Sequence, residues 1–210
     1  MIDSECSLFE KYENEITCIY GGAGTGKTTL AKLAAIGQAK KNKKVVYIDT
    51  ENSFNTERIK QLAGDEFQNI LNNIILFRPK RFSEQNKTIK VLPEIKNISL
   101  IIIDTISNHY RAKVKEKPKV YNMWMSRQFS ILNELSKNIP IIITNQVYNR
   151  IDKNEITMVG GEMFKRLSSR IIRLEKNPRK IIFERPAGEG IHFEIKSDGI
   201  FGLKKEKDEQ

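Results

Sequence analysis

The stretch ITCIYGGAGTGKTT, residues 16–29, constrains the fold of this chain more than any other. It fits the pattern G-x-x-x-x-G-K-[ST] in full, with an apolar, β-branched run before it and a helical pattern after it. Glycines let the backbone curl so that successive N–H groups point at phosphate oxygens, and the N-terminus of the next helix adds a favourable dipole. The stretch therefore predicts a strand, a phosphate-binding loop and a helix, in that order.

The polar side chains of this loop have predicted roles toward a nucleoside triphosphate. We expect Lys27 to reach the β- and γ-phosphates, Thr28 to offer its hydroxyl to Mg²⁺, and Thr29 to reach an α-phosphate oxygen. The predicted nucleotide-binding residues of the loop are Gly21, Gly22, Ala23, Gly24, Thr25, Gly26, Lys27, Thr28 and Thr29.

Strand and helix patterns alternate along most of the chain. Unbroken apolar runs rich in β-branched residues predict buried strands, because parallel strands are covered on both faces. Helical patterns between them predict crossover connections and a parallel sheet. The predicted strands are 16–20, 44–49, 73–77, 99–104 and 140–144, and the predicted helices are 26–40, 54–63, 84–96 and 120–138.

The C-terminal part changes character, since no helical pattern separates its strands. The runs SRIIRLEK, RKIIFERP and GIHFEIK are joined by the tight turns KNPR and AGEG, so they are expected to pair antiparallel and extend the sheet. The predicted fold class is α/β, a central, mostly parallel sheet flanked by helices, with antiparallel C-terminal strands. A single domain is expected over 1–210, with a lead-in at 1–14 and a polar tail at 204–210.

Three apolar runs end in polar residues suited to nucleotide chemistry. Asp104 ends SLIIID, and the carboxyl ends of strands are where open α/β sheets bind ligands, so we predict a role for it on the Mg²⁺ side. The next residue is Thr105, where many P-loop ATPases place Glu. A general base would then come from VVYIDTEN, in which Glu51 and Asp49 are both candidates. PIIITNQV places Gln146 where its amide is able to register a γ-phosphate.

The net charge of the chain indicates which kinds of partner it favours. The chain has 36 Lys and Arg against 26 Asp and Glu, a formal net charge of +10. Such a chain favours anionic partners, including nucleic acid, and the alternative is a lysine-rich composition set by genome base content or heat adaptation. No apolar run of about 18 residues and no signal-peptide pattern is present, and the two cysteines show no metal spacing. An intracellular, cytoplasmic protein with no membrane partner is expected.

Taken together, the motifs resemble those of the RecA/RadA recombinase family along nearly the whole chain. The resemblance implies a RecA-type P-loop NTPase core that uses ATP and Mg²⁺. The stretches that carry it are GGAGTGKTT, VVYIDTENSFNTERI, LIIIDTIS, IIITNQV, VGGEMFKRLSSRIIRLEK and ERPAGEGIHFEIKSDGI.

The resemblance also implies roles for individual residues. It matches Glu51, rather than Asp49, to the family's catalytic glutamate, and Gln146 to the glutamine that links the γ-phosphate to a DNA-binding loop. The implied catalytic residues are Glu51, Lys27 and Gln146, and the implied metal residues are Thr28 and Asp104.

Two further implied nucleotide contacts lie outside these motifs. Arg58 matches an arginine that lies over the adenine ring, and Pro186 lies in a segment that caps the ATP of a neighbouring subunit in family filaments. The second match implies a homodimer or a short homo-oligomer.

The family's first DNA-binding loop corresponds to HYRAKVKEKPKVY, residues 109–121. Cations recur there at every second position, and in an extended loop alternate residues project to one side, which suits a phosphate backbone. Tyr110 and Tyr121 are then available to stack on bases. A solvated charged loop is the alternative. The predicted DNA-binding residues are Arg111, Lys113, Lys115, Lys117 and Lys119, with Arg150 and Lys153 of the second loop as weaker candidates.

Departures from the family set the functional expectation. We expect no counterpart of the family's N-terminal helical DNA-binding domain and aromatic-x-x-Ala linker, and the second loop, VYNRIDKNEITMV, is shorter and carries two acidic residues. We therefore expect an ATP- and DNA-binding accessory protein of homologous recombination and DNA repair, with weak DNA-linked hydrolysis and ATP as a conformational switch. The alternatives are a full strand-exchange recombinase and a RecA-core signalling ATPase without a DNA role.

The same resemblance implies the partners. The expected nucleic acid is single-stranded DNA, bound with little sequence preference. The RadA recombinase and a Holliday-junction resolvase are the family-implied protein partners.

Overall fold

The chain builds one large sheet with helices packed on both faces. The computed structural model describes residues 14–150 and 155–202. The strands are β1 Ile16–Gly21, β2 Lys44–Asp49, β3 Ile74–Phe77, β4 Ile98–Asp104, β5 Ile141–Asn145, β6 Val147–Arg150, β7 Glu155–Met158, β8 Arg170–Lys176, β9 Arg179–Arg185, β10 Ile191–Lys196 and β11 Gly199–Gly202. The helices are α1 Lys27–Ala39, α2 Thr56–Ala63, α3 Phe67–Asn72, α4 Phe82–Val91, α5 Asn108–Lys113, α6 Pro118–Ser136 and α7 Gly161–Leu167.

Nine of the strands form the sheet, in the order β11-β10-β9-β8-β1-β5-β4-β2-β3. Strands β1 to β5 are mutually parallel, and each lies within one residue of its predicted bounds. β5 separates β1 from β4, so the phosphate loop and Asp104 leave the sheet two strands apart on the same edge. The predicted parallel core is therefore confirmed, and it brings the polar strand ends to one edge.

The antiparallel extension is also confirmed. β8 runs parallel to β1, and β9, β10 and β11 then follow with each strand antiparallel to the one before it. The sequence pattern did not predict β11, because its four residues, GIFG, are too short to show a period.

Alternate residues of the central strands enter two separate apolar cores. On β1, Ile19 packs in the core beneath α1, whereas Cys18 packs with Phe129 of α6 on the opposite face. Ile102 and Ile103 of β4 divide in the same way. Burial on both faces is the reason that these strands read as continuous apolar runs.

The segment 109–121 differs from the predicted extended loop. Residues 108–113 form α5, and a second helix, α6, begins at Pro118. Tyr110 and Val114 stand one helical turn apart and both pack on the core, so an apolar pair at helical spacing outweighs the alternation of cations. Pro118 fits the first turn of α6, where its missing N–H costs nothing.

The second loop of the sequence analysis is in part a hairpin. β6 and β7 pair antiparallel directly after Gln146, with residues 151–154 outside the described part of the chain. Most of the predicted lead-in and the whole polar tail also lie outside it, and the single-domain assignment stays a prediction. Across the described residues, no helix combines the length and apolarity needed to cross a membrane.

Truncation of Ile102 tests this packing. Ile102 is fully buried in the middle of β4, so Ile102→Ala should leave a cavity and lower the free energy of unfolding by about 2–5 kcal/mol in guanidinium denaturation. The control is Val91→Ala at the exposed end of α4, which should change that energy by less than about 0.5 kcal/mol. Equal losses in the two variants would contradict the assigned core.

Candidate functional site

The phosphate loop joins β1 to α1 through a backbone that glycine adopts readily. Gly24 and Gly26 have φ angles of 71° and 105°, in the left-handed region. A Cβ atom on Gly26 would lie 2.8 Å from the Cδ1 atom of Ile195 on β10, so the antiparallel extension packs directly against the loop. A cavity of about 440 Å³ opens above the loop and is also lined by Glu51, Thr105 and Gln146.

Two side chains of the loop bind the loop itself. The Thr25 hydroxyl is buried and donates to the Gly22 carbonyl at 3.0 Å, so it braces the turn. The Lys27 ammonium donates to the carbonyls of Gly21 at 2.9 Å and Gly22 at 2.8 Å. Burial lowers the pKa of Lys27, against the opposing effect of the Glu51 and Asp104 carboxylates.

Three hydroxyl groups surround the carboxylate of Asp104, which is 1% exposed. Tyr47 of β2 donates to Oδ2 at 2.8 Å, while Thr144 of β5 and Thr28 of α1 donate to Oδ1, the latter at 3.3 Å. Burial raises the pKa of Asp104, and these hydroxyl bonds act to lower it. The structure thus brings together the two predicted metal residues, Thr28 at the start of α1 and Asp104 at the end of β4, although β5 lies between β1 and β4 in the sheet.

The two candidate bases have different surroundings. Asp49 is 1% exposed, and its carboxylate accepts from the backbone N–H groups of Ser53 at 3.0 Å and Phe54 at 2.8 Å. Through these hydrogen bonds, Asp49 holds the loop after β2 in its conformation. Glu51 is exposed and lines the cavity, which is the position that a general base toward bound nucleotide requires.

A chain of hydrogen bonds runs through the cavity wall. The Thr105 hydroxyl donates to Oε1 of Glu51 at 2.6 Å, and the side-chain amide of Gln146 donates to the same oxygen. The Arg111 guanidinium then donates to Oε1 of Gln146 at 3.1 Å. Arg111, predicted as a DNA contact, therefore lines the cavity beside the predicted catalytic residues.

Lys32 is a buried member of the site that sequence reasoning missed. It lies on α1 at 4% exposure, and its ammonium donates to the Ser53 carbonyl at 2.8 Å. Burial lowers its pKa, against the attraction of Asp104 and Asp49. Arg78, directly after β3, donates to the Phe54 carbonyl at 2.7 Å, so α1 and the segment after β3 both anchor the loop that carries Glu51. The signal was a lone Lys inside the apolar run LAKLAAI.

Arg58 and Pro186 are not brought to the cavity. The Arg58 guanidinium donates to the backbone carbonyls of Ser197 at 2.6 Å and Lys196 at 3.0 Å, at the turn between β10 and β11. Pro186 follows Arg185, which pairs with Ile171 at the edge of the sheet opposite the phosphate loop. A contact of Pro186 with nucleotide would require a second copy of the chain.

The predicted DNA-binding cations divide into separate groups. Lys113 is exposed and forms an ion pair with Glu116 at 2.7 Å. Hydrogen bonding to Glu116 raises the pKa of Lys113. The backbone of Arg150 belongs to β6, and Lys153 lies outside the described residues. Three exposed cations pair with no carboxylate of the described chain: Lys115, Lys117 and Lys119.

The prediction that Tyr110 stacks on a base is wrong, and the ring of Tyr121 is only partly exposed. Tyr110 is 5% exposed and donates to Asn122 at 2.6 Å, and Tyr121 packs against Phe82 and Trp124. Their helical positions turn both rings into the core. Tyr148 of β6 is instead 43% exposed.

A phosphate loop after β1, with a buried carboxylate two strands away, defines a P-loop nucleoside-triphosphate-binding protein of the RecA type. The Rad51 family model matches residues 11–195. The crystal structure of the RadB recombinase superposes with a TM-score of 0.79 at 31% identity, covering 96% of this chain and 97% of that chain. The predicted fold class is thereby confirmed.

Curated relatives carry the name DNA repair and recombination protein RadB. The protein from Methanococcus maripaludis is 39% identical over 197 residues, covering 88% of this chain and 90% of the relative. The protein from Thermococcus sibiricus is 36% identical over 209 residues, covering 93% and 90%. This chain belongs to the Rad51 family and, within it, to the RadB DNA repair and recombination proteins. Proteins of the Rad51/RecA type bind ATP and depend on Mg²⁺ in general.

Lys32 provides a test of how the Glu51 loop is held. Lys32→Met keeps the length of the side chain but leaves the Ser53 carbonyl without its donor, which should lower the free energy of unfolding by about 1–3 kcal/mol. The matched control is Lys41→Met, an exposed lysine beyond the end of α1, with an expected change below about 0.5 kcal/mol. Unchanged stability of Lys32→Met would show that the loop does not depend on α1.

Proposed function

We propose that this protein is an ATP- and DNA-binding accessory protein of recombination and repair, in which ATP acts as a conformational switch and is hydrolysed slowly. The observation that carries the proposal is the position of Gln146. Its side chain binds Glu51 in the cavity, and the β6–β7 hairpin begins at the next residue. The presence or loss of the terminal phosphate of ATP would thus act through Gln146 on the β6–β7 hairpin, which pairs outside the large sheet.

The residues around the cavity fit Mg²⁺–ATP. Glycine backbone and the Lys27 ammonium suit the phosphates, and the adjacent oxygens of Thr28 and Asp104 are the hard ligands that Mg²⁺ prefers. Bound Mg²⁺ would neutralise charge on the β- and γ-phosphates. Lys27 would move from the loop carbonyls to the phosphates, and Asp104 would serve the metal side.

Hydrolysis would depend on Glu51. Its carboxylate would accept a proton from the water that attacks the terminal phosphorus, as ADP leaves. Slow turnover is supported by the two donors, Thr105 and Gln146, that already occupy one oxygen of Glu51. A carboxylate held in this way is a weaker proton acceptor until one donor moves.

A basic surface beside the cavity supports DNA binding. Lys115 and Lys117 are exposed between α5 and α6, and Lys119 is exposed in the first turn of α6. Unpaired cations attract a phosphate backbone without regard to sequence. Tyr148 on the hairpin would supply an aromatic face for a base of single-stranded DNA. Arg150 and Lys153, the weaker candidates of the sequence analysis, remain proposed DNA contacts on the resemblance alone.

The protein partners are proposed on family grounds. The RadA recombinase and a Holliday-junction resolvase suit an accessory role. A homodimer or short oligomer would let Pro186 of one copy approach the nucleotide of another, since within one chain it lies at the far edge of the sheet.

Strand exchange is the second candidate function. It is favoured by the solved relative, which is named the RadB recombinase. Pairing of homologous strands by the purified protein alone, followed with labelled oligonucleotides, would support this candidate over an accessory role.

Glu51→Gln should separate binding from hydrolysis. The amide keeps the size of the side chain but does not accept a proton, so phosphate release should fall by about 10²- to 10⁴-fold while binding of a fluorescent ATP analogue changes little. Glu57→Gln, an exposed glutamate on α2, is the control and should keep wild-type turnover. Normal turnover of Glu51→Gln would exclude Glu51 as the base.

Charge reversal tests the DNA surface. A variant with Lys115, Lys117 and Lys119 all changed to Glu should bind an oligo-dT strand weakly, and the slope of log K against log salt should flatten by about 2. The matched control carries the same change at Lys41, Lys43 and Lys44, which are exposed near the start of β2 on the opposite edge of the sheet. Equal losses in both variants would indicate attraction by net charge alone.

A further inference from the structure

The antiparallel extension lies against the outer side of the phosphate loop. A Cβ atom on Gly21 would meet the carbonyl group of Leu174 on β8, and the Lys176 ammonium lies 3.5 Å from the position that a Cβ atom on Gly24 would take. The Arg179 guanidinium, at the start of β9, donates to the Gly24 carbonyl at 2.9 Å. The turn between β8 and β9 therefore brings two cations to the loop from outside the loop's own motif.

The two cations differ in how they contact the loop, although neither lines the cavity. Lys176 is exposed and makes no hydrogen bond to the loop in the described part of the chain, whereas Arg179 is half-buried and bonded to the Gly24 carbonyl. Gly24 has a φ angle of 71°, a conformation that glycine adopts readily but does not hold by itself. A hydrogen bond from outside the loop is therefore able to select one orientation of this peptide group.

The direction of the Gly24 carbonyl also sets the direction of an N–H group. The peptide bond from Gly24 to Thr25 is trans, so its C=O and N–H groups point in opposite directions. A carbonyl that Arg179 holds outside the loop directs the Thr25 N–H toward the inside, where successive N–H groups of such a loop meet phosphate oxygens. The Thr25 hydroxyl braces the same residue at the Gly22 carbonyl, so Arg179 supplies the second of two restraints on this turn.

We propose that Arg179 is a positioning residue that orders the phosphate loop for nucleotide from the antiparallel extension. The Lys27 ammonium, which binds the carbonyls of Gly21 and Gly22, would leave them for the phosphates, whereas Arg179 lies outside the cavity and would keep its bond. A loop that is already ordered binds more tightly, because the ligand does not have to order it. This inference rests on the proposed function and adds a group, outside the phosphate-loop motif, that sets the affinity for nucleotide.

The decisive variant is Arg179→Gln, whose side chain is too short to reach the Gly24 carbonyl. The affinities for fluorescent ATP and ADP analogues should both fall by about threefold to tenfold, the range of one hydrogen bond, because the phosphates then have to order the loop. Turnover at saturating ATP should stay within about twofold, since Glu51 and the metal side are unchanged. Lys176→Gln is the matched control, which removes the same charge from the same turn and should lower both affinities by less than about twofold. Unchanged affinities in Arg179→Gln, or equal losses in the two variants, overturn the proposal.

A second measurement needs no nucleotide. In protein labelled with ¹⁵N-threonine, the backbone amide signal of Thr25, assigned by its loss in Thr25→Ser, should shift in Arg179→Gln and shift much less in Lys176→Gln. An unmoved Thr25 signal in Arg179→Gln would mean that Arg179 does not hold the Gly24 carbonyl, and the proposal fails even if nucleotide binds. If wild type binds neither analogue, the proposed function fails instead, and the Thr25 signal still decides whether Arg179 holds the loop.

Discussion

Three hydroxyl groups converge on the buried carboxylate of Asp104, and the geometry of the site depends on that convergence. The donors come from three elements, Tyr47 on β2, Thr144 on β5 and Thr28 on α1. A carboxylate that is removed from water without such partners would be costly, and burial alone raises its pKa. Each hydroxyl has to lie within hydrogen-bond distance of the Asp104 carboxylate. The cluster therefore fixes α1, the helix after the phosphate loop, against β2 and β5, neither of which directly precedes it in sequence.

The sequence predicted the structure best where the residue type allows only a few backbone conformations or environments. The phosphate loop, the strand ends at Asp104 and Gln146, and the parallel order follow from glycine conformation and from burial on both faces of a sheet. The choice between Glu51 and Asp49 did not follow from spacing, because both stand at one strand end. It depends on which carboxylate is occupied by backbone N–H groups, and only tertiary structure shows that those bonds go to Asp49.

The segment after β4 shows why alternation of charge is a weak predictor. Every second residue from Arg111 to Lys119 is basic, yet the apolar residues Tyr110 and Val114 stand at helical spacing. Burial of apolar surface contributes more to stability than any arrangement of exposed cations, so the helix forms and the cations are distributed to different sides. One lines the nucleotide cavity, one pairs with Glu116, and three pair with no carboxylate of the described chain. The basic stretch was predicted to form one DNA-binding surface, but its cations are divided between the nucleotide cavity and the exposed surface beyond it.

The strand order also has a consequence for synthesis of the chain. β1 is made early, but its two neighbours in the sheet are β5, residues 141–145, and β8, residues 170–176. On the ribosome, this largely apolar central strand would emerge with both edges unpaired and stay so until most of the chain has been made. Unpaired apolar edges are prone to aggregate, and contacts between distant residues form slowly. Growing chains of this protein would therefore depend on shielding of β1, and a chain that stops before β8 would leave one edge of that strand open.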